Sequence, residues 1–524
     1  MKTNDLPLDM HAEMAALKTE IAQLKTLVKF YEEQFRLAKH RQFSARSEKS
    51  EYDFAQLSIF NEAEYFADTA VSEPELVEVE KHYRRRTRLV TDKLPEDLPV
   101  EVVEHELPES ERVCPECGGE LHTMGRDTRR ELVIIPAQVK IREHVRHVYA
   151  CRDCEKDECG VPIVKAAVSE PVIKGSFTSP EAIAHIMTQK FVMGVPLYRQ
   201  EQEWKRSGIH LSRQTMSNWL IKAAETWLTP IYDALHEMLY NHSVLHADET
   251  TLQVLREPDK RAQSKSYMWL YRTSGDTSHP IVLYEYQPDR KALRPQEFLK
   301  GFKGFLHADG YDGYHKLPEE ILVVGCFAHV RRKFDEALKV LPEHDREGSL
   351  ALVGKRYCDK LFKLERDWAD LSFDQRYAGR QELAKPVADE FFAWAHGCNA
   401  LPKTATSQAV SYALSQRKYL ERYLQDGRLE ISNNRAERSI KPFVIDRKNF
   451  LFANTPNGAK ASAVVFSLIE TAKENGLHPF EYLTYVLKHA PNWDIRNNPD
   501  ALQKLLPAFV PKNSGEGKML KPGF

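Results

Sequence analysis

The tetrapeptide Leu-His-Ala-Asp occurs twice in this chain, in VLHADET at residues 244–250 and in FLHADGY at residues 305–311. In each copy a short apolar run ends in an acid, and the two acids, Asp248 and Asp309, are 61 residues apart (309 − 248). Apolar runs of this length are typical of buried β-strands. The repeat therefore predicts two strands that each deliver a carboxylate to one place.

The segments around the two repeats predict how these strands are arranged. YMWLYR (267–272) and PIVLYEY (280–286) are rich in aromatic and β-branched residues and are separated by a polar turn, so they predict a β-hairpin. A helical pattern follows the second repeat, from 324 to 341. Strand, hairpin, strand and helix is the order of a mixed sheet of the ribonuclease H type. There the first and fourth strands are neighbours, which would place Asp248 beside Asp309.

Two adjacent buried carboxylates repel each other, and a divalent cation removes that cost. Oxygen-rich sites select hard ions, so we expect Mg²⁺ or Mn²⁺. Two such ions about 3.5–4 Å apart can activate an attacking oxygen and stabilise a leaving oxygen in phosphoryl transfer. That chemistry normally needs a third carboxylate from a later helix.

Glu437 is the candidate for the third acid. It lies near the start of a predicted helix that Ser432 or Asn433 would cap. Taken alone, this segment could be a surface array of ion pairs; together with the two Asp strands, a metal site visited by a polyanion is favoured. The surrounding positive charges are Arg435, Arg438, Lys441, Arg447 and Lys448.

His246 and His307 each precede an acid by two residues, hence they share its strand face. We interpret them as core histidines or as supports for the acids, in preference to ligands of a two-His, two-Asp transition-metal site. Glu249 would point to the opposite face if the strand continues, so it is not counted as a ligand.

Two Cys-x-x-Cys pairs, Cys114 with Cys117 and Cys151 with Cys154, flank a strand-rich stretch. This spacing is typical of a zinc ribbon in which four thiolates hold one structural Zn²⁺. The alternatives are two unrelated pairs of reduced thiols, or Cys159 as a substitute ligand. Because all four positions are filled, such an ion has no place for a substrate.

Helical patterns at 179–194 and 195–208, followed by a polar-fronted helix at 211–223, predict a helix-turn-helix whose second helix, 211–223, enters the DNA major groove. Ser-Pro-Glu at 179–181 is a helix start signal, and Ser212 is a second cap. An ordinary helical hairpin is the alternative. The side chains expected to contact DNA are on the first turns of the second helix: Arg213, Gln214, Ser217 and Asn218.

The N-terminal segment has apolar residues at alternating steps of four and three. This heptad pattern favours a coiled coil between two chains over a helix packed on its own domain. The seam comprises Met10, Met14, Leu17, Ile21, Leu24, Val28, Tyr31 and Phe35. A basic extension reaches residue 50. The basic run KHYRRRTR (81–88) lies in a predicted linker, with a phosphate-binding arm as the alternative.

The net charge of −2 gives no global attraction to nucleic acid, so DNA contacts must come from local basic patches. The opening residues MKTNDLPLDM lack an apolar run behind a basic start. No stretch approaches the roughly 18 apolar residues of a spanning helix. We therefore expect a cytoplasmic protein without a membrane segment.

Several of these motifs together resemble the insertion-sequence-66 family of DDE transposases. They are RQFSARSEKS (41–50), CPECGG to CRDC (114–154), PLYRQEQEW (196–204), LHADETTLQV (245–254), LHADGYDGY (306–314), CFAHVRRKF (326–334) and SNNRAERSIKPFVIDRKNFLF (432–452). The last four are specific, whereas the heptad pattern is not. The resemblance covers nearly the whole chain.

The resemblance implies that Asp248, Asp309 and Glu437 are catalytic and hold two Mg²⁺ ions. It implies hydrolysis of a phosphodiester at each element end, followed by attack of the released 3′-hydroxyl on double-stranded target DNA. His329 could support the acids. Small accessory proteins of the same element are expected partners, beside a homo-oligomer. The resemblance also implies a bacterial, nucleoid-associated protein. The candidate DNA contacts around the acids are Arg331, Arg332, Lys333, Arg438 and Lys441, with a solvated helix face as the alternative for the first three.

The predicted fold is therefore multidomain α+β, with a ribonuclease H-like core. Its parts are a coiled coil with a basic extension (1–50), a linker (51–105), a zinc ribbon (106–165), a helix-turn-helix (175–230), a catalytic domain (240–480) with a helical insertion at about 335–430, and a C-terminal helix with a flexible tail (481–524).

Two other functions compete with a transposase. A DNA-binding regulator with a vestigial catalytic domain would not need all three acids, and all three are present. A nuclease acting on RNA–DNA hybrids would not need a zinc ribbon, a helix-turn-helix or a pairing helix.

Overall fold

The computed structural model describes residues 28, 31–32, 139–150 and 163–511. Val28, Tyr31 and Glu32 are helical and exposed. The rest of the predicted coiled coil, the linker, the C-terminal tail beyond 511 and the predicted zinc ligands lie outside the described residues. Those ligands are Cys114, Cys117, Cys151 and Cys154, together with the alternative Cys159.

Residues 51–167 form one compact unit, in which two short strands are described. β1 (Val148–Ala150) pairs antiparallel with β2 (Ile163–Lys165), with Val148 opposite Lys165. The side chain of Arg146 donates to the carbonyl oxygen of Ala166 at 2.6 Å and extends this pairing. β1 ends at the residue before Cys151, but residues 139–147 of the predicted strand-rich stretch are not in a strand.

The second unit begins with a run of helices. Ser179 caps the first helix by accepting from the Ala182 N–H, and Ser212 caps the third by accepting from the Thr215 N–H, so both predicted caps are confirmed. A π-helical turn at Ala224–Leu228 joins the third helix to the fourth. The helices are α1 (Pro180–Phe191), α2 (Leu197–Arg206), α3 (Arg213–Ala223) and α4 (Thr229–Leu239).

A five-stranded mixed sheet follows, with strand order β5-β4-β3-β6-β7. β3, β4 and β5 are antiparallel neighbours, whereas β6 lies parallel to β3 and β7 lies parallel to β6. The first and fourth strands of this sheet are therefore adjacent, as predicted. The strands are β3 (Val244–Gln253), β4 (Lys265–Thr273), β5 (Val282–Gln287), β6 (Gly304–His307) and β7 (Ile321–Val324).

The remaining helices lie between and after the strands. The first precedes β6, and the next six separate β7 from the last helices, so the segment between Asp309 and Glu437 is largely helical, as expected. They are α5 (Leu293–Phe298), α6 (Phe327–Val340), α7 (Glu343–Arg346), α8 (Leu350–Asp367), α9 (Phe373–Gly379), α10 (Lys385–Gly397), α11 (Ala405–Leu420), α12 (Asn434–Phe450), α13 (Pro456–Glu474), α14 (Pro479–His489) and α15 (Pro499–Gln503).

The outer edge of β5 is covered by helix α13, which is buried along most of its length. The Ser467 hydroxyl accepts from the Tyr284 N–H at 2.7 Å, and the Thr471 hydroxyl accepts from the Val282 N–H at 3.0 Å. Side chains of α13 thus replace the next strand of the ladder. An edge satisfied in this way does not pair with another chain.

Buried apolar residues between 172 and 506 form one continuous core that joins helices α1–α4 to the sheet and to α12–α14. A second core lies among α6, α8, α10 and α11 and includes Val244 and Val324. Both cores therefore contain residues of the sheet, the first from all five strands and the second from β3 and β7. Among the described residues, no helix is both long and apolar enough to cross a membrane.

Candidate metal-binding and catalytic site

The two Leu-His-Ala-Asp copies lie side by side and in register. Leu245 pairs with Leu306 and His246 pairs with His307 across the parallel strands β3 and β6. Asp248 and Asp309 therefore occupy equivalent positions, each two residues beyond the paired histidines. Asp248 is still within β3, whereas Asp309 lies just past the end of β6.

The close approach of the two strands requires a glycine at the start of β6. Gly304 has φ +146° and lies so near the backbone of Ser243 that a Cβ would collide with its carbonyl oxygen. The Phe305 N–H donates to that same oxygen at 2.8 Å. This contact sets the register, which in turn aligns the acids.

Asp248 lies in an environment that disfavours its charge. Burial, and then the charges of Glu249, Asp309 and Glu437, raise the pKa of Asp248 well above its usual value. The N–H of Glu249 donates to Asp248 Oδ1 at 2.9 Å and opposes this only in part. Because the charges of Asp309 and Glu437 act on Asp248, the three predicted residues lie near one another.

Glu249 is held away from the role of a free carboxylate by two donors. Tyr314 donates its hydroxyl to Glu249 Oε2 at 2.6 Å, and Arg290 donates Nε to Oε1 at 2.7 Å. Burial raises the pKa of Glu249, while Arg290 and Tyr314 lower it. The same guanidinium lies 3.9 Å from Asp309 Oδ2, so Arg290 also offsets part of the negative charge beside the site.

Helix α12 delivers Glu437 from its first turn. Asn433 is at the N-cap position, but its side chain does not cap the helix, contrary to the expected role. Instead its amide donates to the Ala247 carbonyl at 2.8 Å, and its Oδ1 lies 3.0 Å from His246 Nδ1. The side chain is drawn to β3 because those buried polar groups need partners, and it ties the third acid to the strand of the first.

Glu437 contacts two side chains of helix α6. Arg332 Nη2 donates to Glu437 Oε2 at 3.1 Å, and His329 Nε2 lies 3.8 Å from Oε1. Burial opposes protonation of His329, but the nearby Cys326 and Glu437 raise its pKa to about 9. His329 therefore lies next to the acids, as expected for a supporting residue.

The predicted DNA contacts around the acids are only partly available. Arg331 pairs with Asp359 at 2.5 Å, Arg332 pairs with Glu437, and the Lys333 ammonium lies 4.7 Å from the centre of the Tyr412 ring. Arg438 is exposed and Lys441 is half-buried. Nothing in these positions tests DNA contact, which stays a prediction.

The predicted recognition face of α3 is largely open. Arg213, Gln214 and Asn218 are exposed, and Ser217 is half-buried. The N–H of Arg213 donates to Glu201 Oε1 of α2 at 3.0 Å and joins the two helices. These residues thus form a solvent-facing polar surface on the first turns of the helix.

From the sequence, Asn433 was expected only as a possible helix cap, and Arg290 was not singled out. In the structure Asn433 ties α12 to β3, and Arg290 offsets negative charge beside the acids. Cys326 was also not grouped with His329 and Glu437, although the ligand atoms of all three lie within 4.8 Å of one another. Cys326 and His329 share the spacing Cys-x-x-His, which was the one available signal. Asn433 and Arg290 are recognised only through contacts distant in sequence.

Comparison with known proteins defines the class of this chain as a DNA-binding transposase. The family model described as "Transposase IS66 family" matches residues 175–461. Models described as "zinc-finger binding domain of transposase IS66", "Transposase C of IS166 homeodomain" and "IS66 C-terminal element" match residues 111–155, 31–103 and 467–508. The chain therefore belongs to the IS66 transposase family.

Two relatives are similar to this chain over most of their sequences. The chain is 30% identical over 516 residues to "Uncharacterized protein y4qI" of Sinorhizobium fredii, covering 92% of this chain and 91% of that protein. It is 30% identical over 442 residues to "Uncharacterized protein y4hP" of the same organism, covering 80% and 77%. Family membership implies metal use and DNA as a partner.

Proposed function

We propose that this transposase cleaves DNA at the ends of its insertion sequence and transfers the released strand into target DNA, using Asp248, Asp309 and Glu437 as a DDE site. The observation that carries the proposal is the in-register pairing of the two Leu-His-Ala-Asp strands beside Glu437. The strand order β5-β4-β3-β6-β7, with one antiparallel and one parallel half, supports a ribonuclease H-like fold for this core.

The donor set fits hard divalent cations. Three carboxylates lie near one another, one of them with a strongly raised pKa, and Glu437 Oε1 is buried without a hydrogen-bond partner among the described residues. An all-oxygen set of this kind selects Mg²⁺ or Mn²⁺. Two such ions, when bound, activate the attacking oxygen and stabilise the leaving oxygen of an in-line displacement at phosphorus.

The protein's own residues then have separate tasks. Asp248 on β3 and Asp309 just past the end of β6 would bind the cations together, and Glu437 on α12 would supply the third carboxylate. Arg290 offsets the charge of Glu249, so the acids that remain for cations are the three converging ones. Arg332 reaches Glu437 from α6 and is placed to turn towards a phosphate when DNA enters. Cleavage and transfer use one site because both are displacements at phosphorus.

DNA recognition is assigned to other parts of the chain. The exposed face of α3, with Arg213, Gln214, Ser217 and Asn218, would contact element ends in the major groove. The four cysteines Cys114, Cys117, Cys151 and Cys154 would hold structural Zn²⁺. The N-terminal heptads would pair two copies, and accessory proteins of the element could join them.

Strand cleavage by purified full-length protein tests this function. Labelled DNA carrying the element ends is incubated with Mg²⁺, and nicks are mapped to the nucleotide. We expect Asp248→Asn, Asp309→Asn and Glu437→Gln each to lower cleavage by at least about 1,000-fold, since each removes a ligand of the same site. Asp312→Asn is the matched control. Asp312 lies three residues beyond Asp309, is exposed, and pairs with Lys316.

Binding to the ends without cleavage, also after the accessory proteins of the element are added, would contradict the proposal and favour a DNA-binding regulator. Equal cleavage by wild-type protein and the Asp309→Asn variant would show that the acids are not catalytic.

A further inference from the structure

Cys326, His329 and Glu437 form a compact cluster of metal-ligand atoms next to the acids. We propose that this cluster is a second metal site, selective for a thiophilic divalent ion such as Zn²⁺, and that filling it withdraws Glu437 from the catalytic acids. Ion binding at the cluster stands by itself; the inhibition that follows rests on the function proposed above.

The local structure brings the three ligands together from two helices. Cys326 is the N-cap residue of α6, and His329 is three residues later, on the same side of its first turn. Glu437 comes from the first turn of α12. His329 Nε2 and Glu437 Oε1 are 3.8 Å apart. In a tetrahedral zinc site, neighbouring ligand atoms are about 3.3–3.7 Å apart, so a small contraction is sufficient.

One ligand atom of the cluster lacks a hydrogen-bond partner. Glu437 Oε1 is buried and has no partner of acceptable geometry among the described residues. Arg332 occupies the other oxygen, Glu437 Oε2, and leaves Oε1 directed at the cluster. Buried polar atoms are nearly always satisfied, so an open valence among three ligand types points to an ion.

The sulfur has the surroundings of a metal-bound thiolate. Cys326 is buried, and its Sγ accepts the backbone N–H of Asn433 at 3.1 Å. Donors of this kind orient ligands around metal sites. Thiolate and imidazole select Zn²⁺ over Mg²⁺, whereas the three carboxylates select the reverse. The two sites therefore differ in chemistry but share one carboxylate.

Direct ion binding tests the site. Full-length protein loaded with a single equivalent of Zn²⁺, which the four thiolates of the zinc ribbon bind in preference to a three-ligand site, is titrated with Co²⁺. Co²⁺ absorbs in the near ultraviolet when a thiolate binds it. We expect wild-type protein to bind one further equivalent of Co²⁺ and to show that absorption. Cys326→Ser should remove the absorption and lower the affinity for this Co²⁺ ion by at least about 10-fold. Cys358→Ser is the matched control, since Cys358 is also buried but is on α8.

His329→Asn should weaken Co²⁺ binding to a similar extent. This second variant keeps the test valid if the Cys326→Ser variant fails to fold. Absence of thiolate absorption beyond the ribbon, or equal binding by wild-type protein and the Cys326→Ser variant, would overturn the site.

Zinc inhibition is measured separately, as Mg²⁺-dependent cleavage with and without added Zn²⁺ and relative to each variant's own activity. Zinc should inhibit wild-type protein and the Cys358→Ser variant at least about 10-fold more than Cys326→Ser. Equal inhibition would overturn the competition for Glu437. Co²⁺ binding in a protein that never cleaves DNA would support the site and contradict only the proposed function.

Discussion

His246 and His307 lie opposite each other across strands β3 and β6, with ring centroids 4.3 Å apart and planes within 13°. Burial lowers the pKa of His246 to about 3 and that of His307 well below its usual value. Both rings are therefore neutral at physiological pH and stack without repulsion. His246 also contacts Asn433, so the stacked pair connects the two Asp strands to the helix that carries Glu437.

Asn433→Ala should impair catalysis more than folding. The change leaves His246 Nδ1 and the Ala247 carbonyl without their partner, which costs about 1–3 kcal/mol of the free energy of unfolding. It also frees the start of α12, and we expect cleavage to fall about 10–100-fold as Glu437 loses its position. Denaturant unfolding and single-turnover cleavage measure the two effects.

Asn434→Ala is the matched control for that substitution, because Asn434 is the next residue and is only half-buried. Its unfolding free energy should stay within about 0.5 kcal/mol of wild type. A similar loss of cleavage in both variants would mean that the contact of Asn433 with β3 does not position the acid.

Arg380 should be essential for the stability of the helical segment. It is fully buried, pairs with Glu365 at 2.6 Å and donates to the carbonyls of Tyr423, Asp426 and Leu429. Arg380→Met would leave the half-buried Glu365 carboxylate and three carbonyls without this partner, so we expect a loss of about 3–5 kcal/mol. Chemical unfolding followed by fluorescence measures this loss.

Lys385→Met is the matched control. Lys385 lies on the same stretch of helix as Arg380 and also pairs with a carboxylate, that of Asp389, but this pair is exposed. Exposed pairs contribute little, and a change within about 0.5 kcal/mol is expected. Comparable losses in the two variants would show that burial of Arg380 adds nothing.

Glu285 should make stability depend on pH. Burial raises its pKa from 4.5 to about 7, although the Gln287 amide donates to it. The folded state thus holds the proton more tightly than the unfolded chain. The free energy of unfolding consequently falls as the pH rises from 4.5 through 7. Above pH 7 this group causes no further fall.

Glu285→Gln removes this penalty and should stabilise the protein at pH 8 by on the order of 1–3 kcal/mol relative to its effect at pH 4.5. Thermal unfolding across that range measures the difference. Glu319→Gln, at an exposed position, should show no such dependence. A stabilisation by Glu285→Gln that is equal at both pH values would refute the assignment.

The sequence was sufficient to predict the parts of the site with local signals. The repeated Leu-His-Ala-Asp motif predicted neighbouring strands, because an identical alternation of apolar and polar residues suits the same place in a sheet. Glu437 was predicted because a cap signal and a basic helix surround it. The caps Ser179 and Ser212 were likewise readable from adjacent residues.

Other features have no local signature. Asn433 was expected to cap α12, but the buried polar groups of His246 and Ala247, nearly 190 residues earlier in the chain, compete for its side chain. Arg331 and Arg332 were chosen as DNA contacts for their charge alone, and the sequence did not reveal that Asp359 and Glu437 lie beside them. Such contacts depend on the assembled fold.

The most direct test of the central claim, that Asp309 binds a catalytic metal ion together with Asp248, is a change of its ligand chemistry. In Asp309→Cys a thiolate replaces the carboxylate, and Mn²⁺ accepts sulfur more readily than Mg²⁺ does. We expect this variant to lose cleavage of the element ends in Mg²⁺ and to regain part of it in Mn²⁺. The ratio of its activity in Mn²⁺ to its activity in Mg²⁺ should therefore be at least about 10-fold higher than that of wild-type protein. An unchanged ratio in a folded variant would contradict the account.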